Sequence, residues 1–221
     1  MKYTHTQMAN FDSLMESIPS KSKSSPLVFG VAVNDAGFQV SMVVGGSKIN
    51  HRAYSAWKNM FNRCYNEKER RNYKTYSSCL ICNDWHSFKS FLSWWKLNHV
   101  DGWHMDKDIL SGDNKIYSPE TCVFIPNHIN KFITLRGSCR GLYPLGVSWH
   151  KRNHIFTSHV SHNGRLIYLG GYASQYDAHK AWLLEKLRLA KKIKPECDSI
   201  HDGLYKGIVD LIERESEASI R

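Results

Sequence analysis

The sequence predicts an α+β chain. A strand–loop–strand–helix unit with helices packed around it is followed by a three-stranded antiparallel sheet backed by one helix. Three observations point there. From His104 to Asn130 the chain reads HMDKDILSGDNKIYSPETCVFIPNHIN, where an alternating run, a turn and a second apolar run lead to a proline. From Gly146 to Gly170 three β-rich runs, separated by turn residues, lead into a helical pattern rich in Ala and Leu. The formal net charge of +10 is confined to one segment. Residues 131–194 hold twelve Lys or Arg against two acids, Asp177 and Glu185, so the rest of the chain is balanced. A basic half on a neutral half suggests a polyanion-binding module joined to something else.

The chain has 221 residues, enough for one large domain or two small ones, and 42% hydrophobic content supports ordinary cores. No apolar run reaches the roughly 18 residues a membrane span needs. The first twenty residues are polar and lack the apolar core of a signal peptide. A cytosolic setting is the default, where six cysteines serve as thiols or metal ligands rather than disulfides.

Taken in order, residues 1–26 suit a flexible leader. KSKSSP at 21–26 has linker composition, and 4–19 offer at most one weak helix. In 27–50 two β-rich runs flank Asn34-Asp35-Ala36-Gly37, a hairpin signal, and Gly45-Gly46 marks a second turn. Tyr54, Trp57, Met60, Phe61 and Cys64 recur at helical spacing over 54–66 and form a core stripe. Arg63, Lys68, Arg70 and Arg71 near its end either meet phosphates or stay solvated. A second aromatic helix is expected over 84–97, capped by Asn83 or Asp84. Cys79 and Cys82 form a two-residue-spaced pair. With Cys64 and Cys122 they supply the four thiolates of a structural zinc site. The other reading makes Cys64 and Cys122 buried small apolar residues.

Met105 to Ile109 alternates like a strand, Gly112, Asp113 and Asn114 suit a turn, Cys122 to Ile125 forms a second strand, and Pro126 opens a helix. That frame brings Asp106 near Asn130. A carboxylate and an amide oxygen are hard ligands for a magnesium- or manganese-type ion, which stabilises the leaving oxygen of a phosphodiester. The plainer reading gives Asp106, Asp108 and Asp113 turn and surface contacts. His104, two residues before Asp106, lies on the same strand face.

This layout resembles the H-N-H nucleases, whose site is a ββα-metal hairpin, and most closely their phage-encoded homing-endonuclease branch. Asp-Lys-Asp-Ile-Leu at 106–110 and Tyr-Ser-Pro-Glu-Thr-Cys at 117–122 carry the likeness. The resemblance implies a host-cell cytoplasmic setting and cysteines at the four places named. By position it makes Asp106 the first metal ligand and Asn130 the second. Lys107 stands where the His base belongs, and Thr121 where the mid-loop Asn belongs. An ammonium of ordinary pKa is a poor base at neutral pH, so His104 is the alternative base.

After a Gly/Arg/Ser linker at 137–141, strands are expected at 146–151, 155–161 and 165–170, with turns at Arg152-Asn153 and Asn163-Gly164. A helix capped by Ser174 follows to about Lys192. This half resembles the DNA-binding domain of plant ethylene-response transcription factors, through Gly146-Val147-Ser148, Phe156, Gly164, Tyr168-Leu169-Gly170 and the helix beginning Asp177-Ala178. The resemblance implies a sheet laid in a DNA major groove, with Ser148, His150, Lys151, Arg152, His159, Ser161, Arg165 and Tyr168 facing DNA. Residues 196–214 then form a last helix after Pro195, with a frayed tail.

The expected organisation is a leader at 1–26, an H-N-H-like nuclease domain at 27–135, an ethylene-response-factor-like domain at 142–193 and a C-terminal helix and tail at 196–221. The expected function is metal-dependent hydrolysis of double-stranded DNA. The rival is a catalytically inactive DNA-binding protein or regulator that keeps the scaffold, and charge alone leaves RNA binding open.

Overall fold

A computed structural model describes residues 3–20, 27–72, 78–112, 114–135 and 142–220. The chain is α+β and divides into two compact units. The first comprises 1–103 with 113–124, and the second 104–112 with 125–221. The contacts thus divide the chain differently from the expected ranges, since 104–112 and 125–135 belong with the C-terminal half. Linker segments 21–26 and 137–141, together with Asp113 and Cys139, lie outside the described residues.

The first unit opens with α1 (His5–Ser17), where a flexible leader was expected. Thr4 and Gln7 form a capping box, satisfying two backbone donors at the start. Tertiary contacts hold this weakly amphipathic segment: Met15 is fully buried, and Asp12 accepts the Arg52 N–H (2.9 Å) and the guanidinium Nε–H (2.5 Å). The hairpin of β1 (Ser41–Val44) and β2 (Ser47–Asn50) turns at Gly45-Gly46, both at positive φ. The expected hairpin at 34–37 is not formed, because Asp35 is used elsewhere. Its carboxylate accepts Ser87 Oγ–H (2.7 Å) and Lys89 N–H (2.8 Å) at the start of a later helix.

The aromatic stripes do build the core. They lie on α2 (Arg52–Tyr65) and α4 (Phe88–Asn98), which pack together. Trp57, Phe61, Trp85, Phe88 and Phe91 are essentially inaccessible. Each contributes about 1.5–3 kcal/mol by leaving water. The Trp57 indole N–H donates to the Trp85 carbonyl (2.6 Å), so its one polar group is satisfied. α4 begins at 88 rather than 84: residues 83–86 form a 3₁₀ turn, and Ser87 is the cap, accepting Ser90 N–H at 3.1 Å. A short α3 (Glu67–Asn72) follows α2, and β3 (Leu80–Ile81) pairs in parallel with β5 (Ile116–Tyr117).

In the second unit β4 (His104–Asp106) is shorter than the alternating pattern suggests. Asp106 Oδ1 accepts the N–H groups of Asp108 (2.8 Å) and Ile109 (3.0 Å), which turns the chain into α5 (Asp108–Ser111). A carboxylate that captures two successive N–H groups offers the backbone an alternative to a ladder. β6 (Val123–Ile125) leads through Pro126 into α6 (Asn127–Ile133), which packs against β4. The three-stranded sheet runs β7 (Val147–His150), β8 (Ile155–His162), β9 (Arg165–Tyr172), antiparallel throughout. Asn163 and Gly164 both take positive φ, 51° and 74°, as a two-residue hairpin turn requires.

Helix α7 (Gln175–Ile200), capped by Ser174, backs the sheet through Val160, Trp182 and Leu189. It runs through Pro195, where a break was expected. A proline there removes one helical bond, yet Cys197 beyond it is fully buried and anchors the last turn. The final helix is therefore α8 (Leu204–Ile220), which packs on α7 through Leu204, Ile208, Ile212 and Ser216. The tail is helical as far as 220. His179 explains why: it donates from Nδ1 to the Leu145 carbonyl (2.8 Å) and accepts at Nε2 from the buried Ser216 hydroxyl (2.7 Å). No helix among the described residues is long and apolar enough to cross a membrane.

Candidate functional site: an open basic sheet and the 104–130 stretch

The three-stranded sheet has two unlike faces, and its register assigns them. Val160 sits opposite Ile167 and packs on Trp182 and Leu189 of α7, and by alternation Phe156 and its partner Trp149 share that face. On the other face, Ser148 pairs with Thr157, His159 with Tyr168 and Ser161 with Leu166. Thr157 Oγ1 donates to the Ser148 carbonyl (3.2 Å) and accepts from the Ser148 hydroxyl (2.9 Å), fastening the two strands. The His159 and Tyr168 rings lie 5.2 Å apart. Ser148, His150, Ser161, Leu166 and Tyr168 are exposed on this face.

Lys151 and Arg152 project from the β7–β8 turn and are exposed. His150 Nδ1 accepts the Asn153 N–H (3.2 Å), so in the neutral ring the proton sits on Nε2. The expected DNA-facing set therefore gathers on one surface, apart from Arg165. Opposite His162 in register, Arg165 sits on the helix-side face near the turn and is exposed there. Residues 142–176 contain no Asp or Glu, so no carboxylate of this segment offsets its positive charge.

The 104–130 stretch is divided between the units. Asp106, Lys107, His104 and Asn130 fall in the second, Thr121 in the first. Burial pushes the Asp106 carboxyl above its ordinary value, while its two backbone N–H partners pull it down. Asp106 lies on β4 and Asn130 on α6, two elements that pack together. Lys107 is buried, and its Nζ forms an ion pair with Asp108. His104 is exposed. Thr121 is buried and closes the 118–121 turn: its Oγ1 donates to the Ile116 carbonyl (2.7 Å) and accepts the Ser118 N–H (3.0 Å).

Cys64, Cys79, Cys82 and Cys122 all lie in the first unit, and all but the half-buried Cys82 are buried. Cys79 and Cys82 bracket β3, against which the helix carrying Cys64 packs. Desolvation raises the Cys82 thiol above its ordinary value, and Asp84 and Glu120 add to this. Among the described residues no three His, Cys, Asp or Glu side chains converge as a metal-binding group.

Lys186 was not singled out from sequence. It is buried on α7, four residues after Trp182, and donates from Nζ to the Phe132 carbonyl (2.6 Å). A cation on the apolar stripe of a helix was the available signal. Comparison of the chain with protein-family models, with curated proteins and with solved structures yields no match.

Proposed function

We propose that this chain binds duplex DNA through the open face of the β7–β9 sheet. The observation that carries this reading is the sheet itself: a helix-backed, acid-free surface presenting Ser148, His150, His159, Ser161 and Tyr168, with Lys151 and Arg152 at its rim. A strand surface of that width fits the major groove, where polar side chains meet base edges and the rim cations meet phosphates. In fluorescence anisotropy with a labelled duplex, log affinity should fall linearly with log salt. Replacing both Lys151 and Arg152 by alanine should flatten that slope by about 0.9 for each lost phosphate contact. An unchanged slope and affinity would remove the sheet from the interface.

A second reading, metal-dependent cleavage of the bound DNA by an H-N-H-like site, is favoured by one observation: β4 and α6, carrying Asp106 and Asn130, pack together in the same unit. Asp106 Oδ2 and the Asn130 amide oxygen would hold magnesium or manganese. When bound, such an ion supplies positive charge at the leaving oxygen of a phosphodiester. Lys107, paired with Asp108, would act either as a positive charge on the phosphate or as the base, and His104 is the alternative protein base. Plasmid relaxation with magnesium or manganese that is lost in Asp106→Ala, with DNA binding kept, supports this reading. Wild-type protein that binds but cuts nothing with either ion leaves the non-catalytic DNA-binding protein.

A further inference from the structure

Beside the open sheet face the second unit holds a cavity of about 770 Å³, bounded by α6, the 143–147 segment, the outer half of β8 and α7. Its volume falls in the range of about 300–1,000 Å³ typical of small-molecule sites. Leu145, Leu166 and Trp182 give it apolar walls, while Lys131, His159 and Lys186 give it polar ones, and none of its described lining residues is acidic. His159, Ser161 and Leu166 also belong to the open face, so the cavity and that face are continuous.

Lys186 is only 4% exposed. One of its three N–H bonds goes to the Phe132 carbonyl, and the ammonium lies 3.6 Å from the Phe132 ring centroid. Its other N–H bonds meet no acceptor among the described residues, and no described carboxylate pairs with it. Burying an ammonium without a counter-ion is expensive. Desolvation accordingly pulls its pKa down to about 8, which still leaves it mostly charged at neutral pH. A buried, unpaired positive charge on the wall of a cavity without acids is matched by an anion.

We propose that this cavity binds a nucleoside phosphate, with the phosphate at the Lys186 ammonium and the base against Leu145, Leu166 and Trp182. Inorganic phosphate alone would leave most of the volume and the apolar walls unfilled. The ligand has two possible sources: a free mononucleotide, or an unpaired nucleotide of a bound strand reaching in from the sheet face. The strand source rests on the DNA-binding reading, and the free source does not.

The test reads Lys186 directly, by acetic anhydride labelling of the full chain at pH 8 with peptide mass spectrometry. The probes are millimolar dAMP, deoxyadenosine, inorganic phosphate, a fully paired duplex, and the same duplex with one unpaired nucleotide. A phosphate within contact distance shifts an amine's pKa upward by about one or more, so from about 8 the neutral fraction at pH 8, and with it the labelling, should fall at least about fivefold. Protection by dAMP beyond that by deoxyadenosine or phosphate assigns the free source. Protection by the unpaired-nucleotide duplex alone assigns the strand source. Lys186→Met, which keeps the apolar stem, should weaken dAMP or unpaired-nucleotide binding at least about tenfold while leaving paired-duplex affinity within about twofold. If no probe protects Lys186 while the paired duplex still binds, the cavity proposal falls and the DNA reading stands. If neither nucleotide nor duplex binds, both fall.

Discussion

Replacing Gly146 by alanine should loosen the sheet–helix unit, by an amount that separates into two parts. Gly146 has φ +78°, and a Cβ built there would lie 2.1 Å from Trp182 Cδ1, 2.2 Å from Cγ and 2.7 Å from Cβ. An alanine in the left-handed region costs about 1–2 kcal/mol. The clash adds more, because Trp182 is buried against Val160 and Leu189 and its ring stacks on His179. Overpacking of such a site costs about 1–3 kcal/mol. Gly164 supplies the control: its φ is +74°, but a Cβ there meets nothing within 4 Å. Gly164→Ala should therefore show the backbone part alone, about 1–2 kcal/mol, and Gly146→Ala a total of about 2–5 kcal/mol. The lower unfolded-state entropy of alanine offsets both by the same about 0.4–1 kcal/mol and cancels in the comparison. Amide hydrogen exchange of peptides from 155–172 and 175–190 measures the opening free energy of this unit by itself. If the two variants lower protection equally, Trp182 does not press on Gly146 and the reasoning is wrong.

Lys186 also sets a pH dependence. Its folded pKa lies below that of an unfolded lysine, so the unfolded chain binds more protons between about pH 8 and 10.5, and stability rises with pH across that window. The penalty at neutral pH is at most about 3 kcal/mol, reduced by the Phe132 contacts. In urea melts from pH 7 to 10.5, Lys186→Met should lack this rise, and an identical rise in the variant would contradict the assignment. For the first unit, four thiolates closing a zinc site would give about one zinc per chain and a lower melting temperature after chelation. Metal-free protein with an unchanged melt supports buried thiols instead.

Much of the secondary structure was legible in the residues. Asn163-Gly164 specifies a hairpin because both positions take positive φ, and the strands on either side follow from it. Ser174 starts α7, Gly45-Gly46 turns the β1–β2 hairpin, and the aromatic spacing over 54–66 marks the buried face of α2. Period-two alternation put Thr157, His159 and Ser161 on one face of β8, and the DNA-facing positions came from the family resemblance; the pairing of Arg165 with His162 puts Arg165 on the opposite face.

Other features depended on partners far along the chain. α1 is held by Asp12 on Arg52, forty residues away, and its own sequence is too weakly patterned to announce that. Asp106 sits in an alternating run, yet its carboxylate captures two N–H groups and ends the strand. Pro195 interrupts one hydrogen bond of α7, but the burial of Cys197 outweighs it. Lys186 reads as one cation among twelve in a basic segment. It becomes a buried charge, without a carboxylate partner among the described residues, only when Phe132, 54 residues earlier, folds over it. Periodicity states which side of an element is apolar. Which element covers that side, and which polar group is trapped beneath, is decided by packing between distant segments.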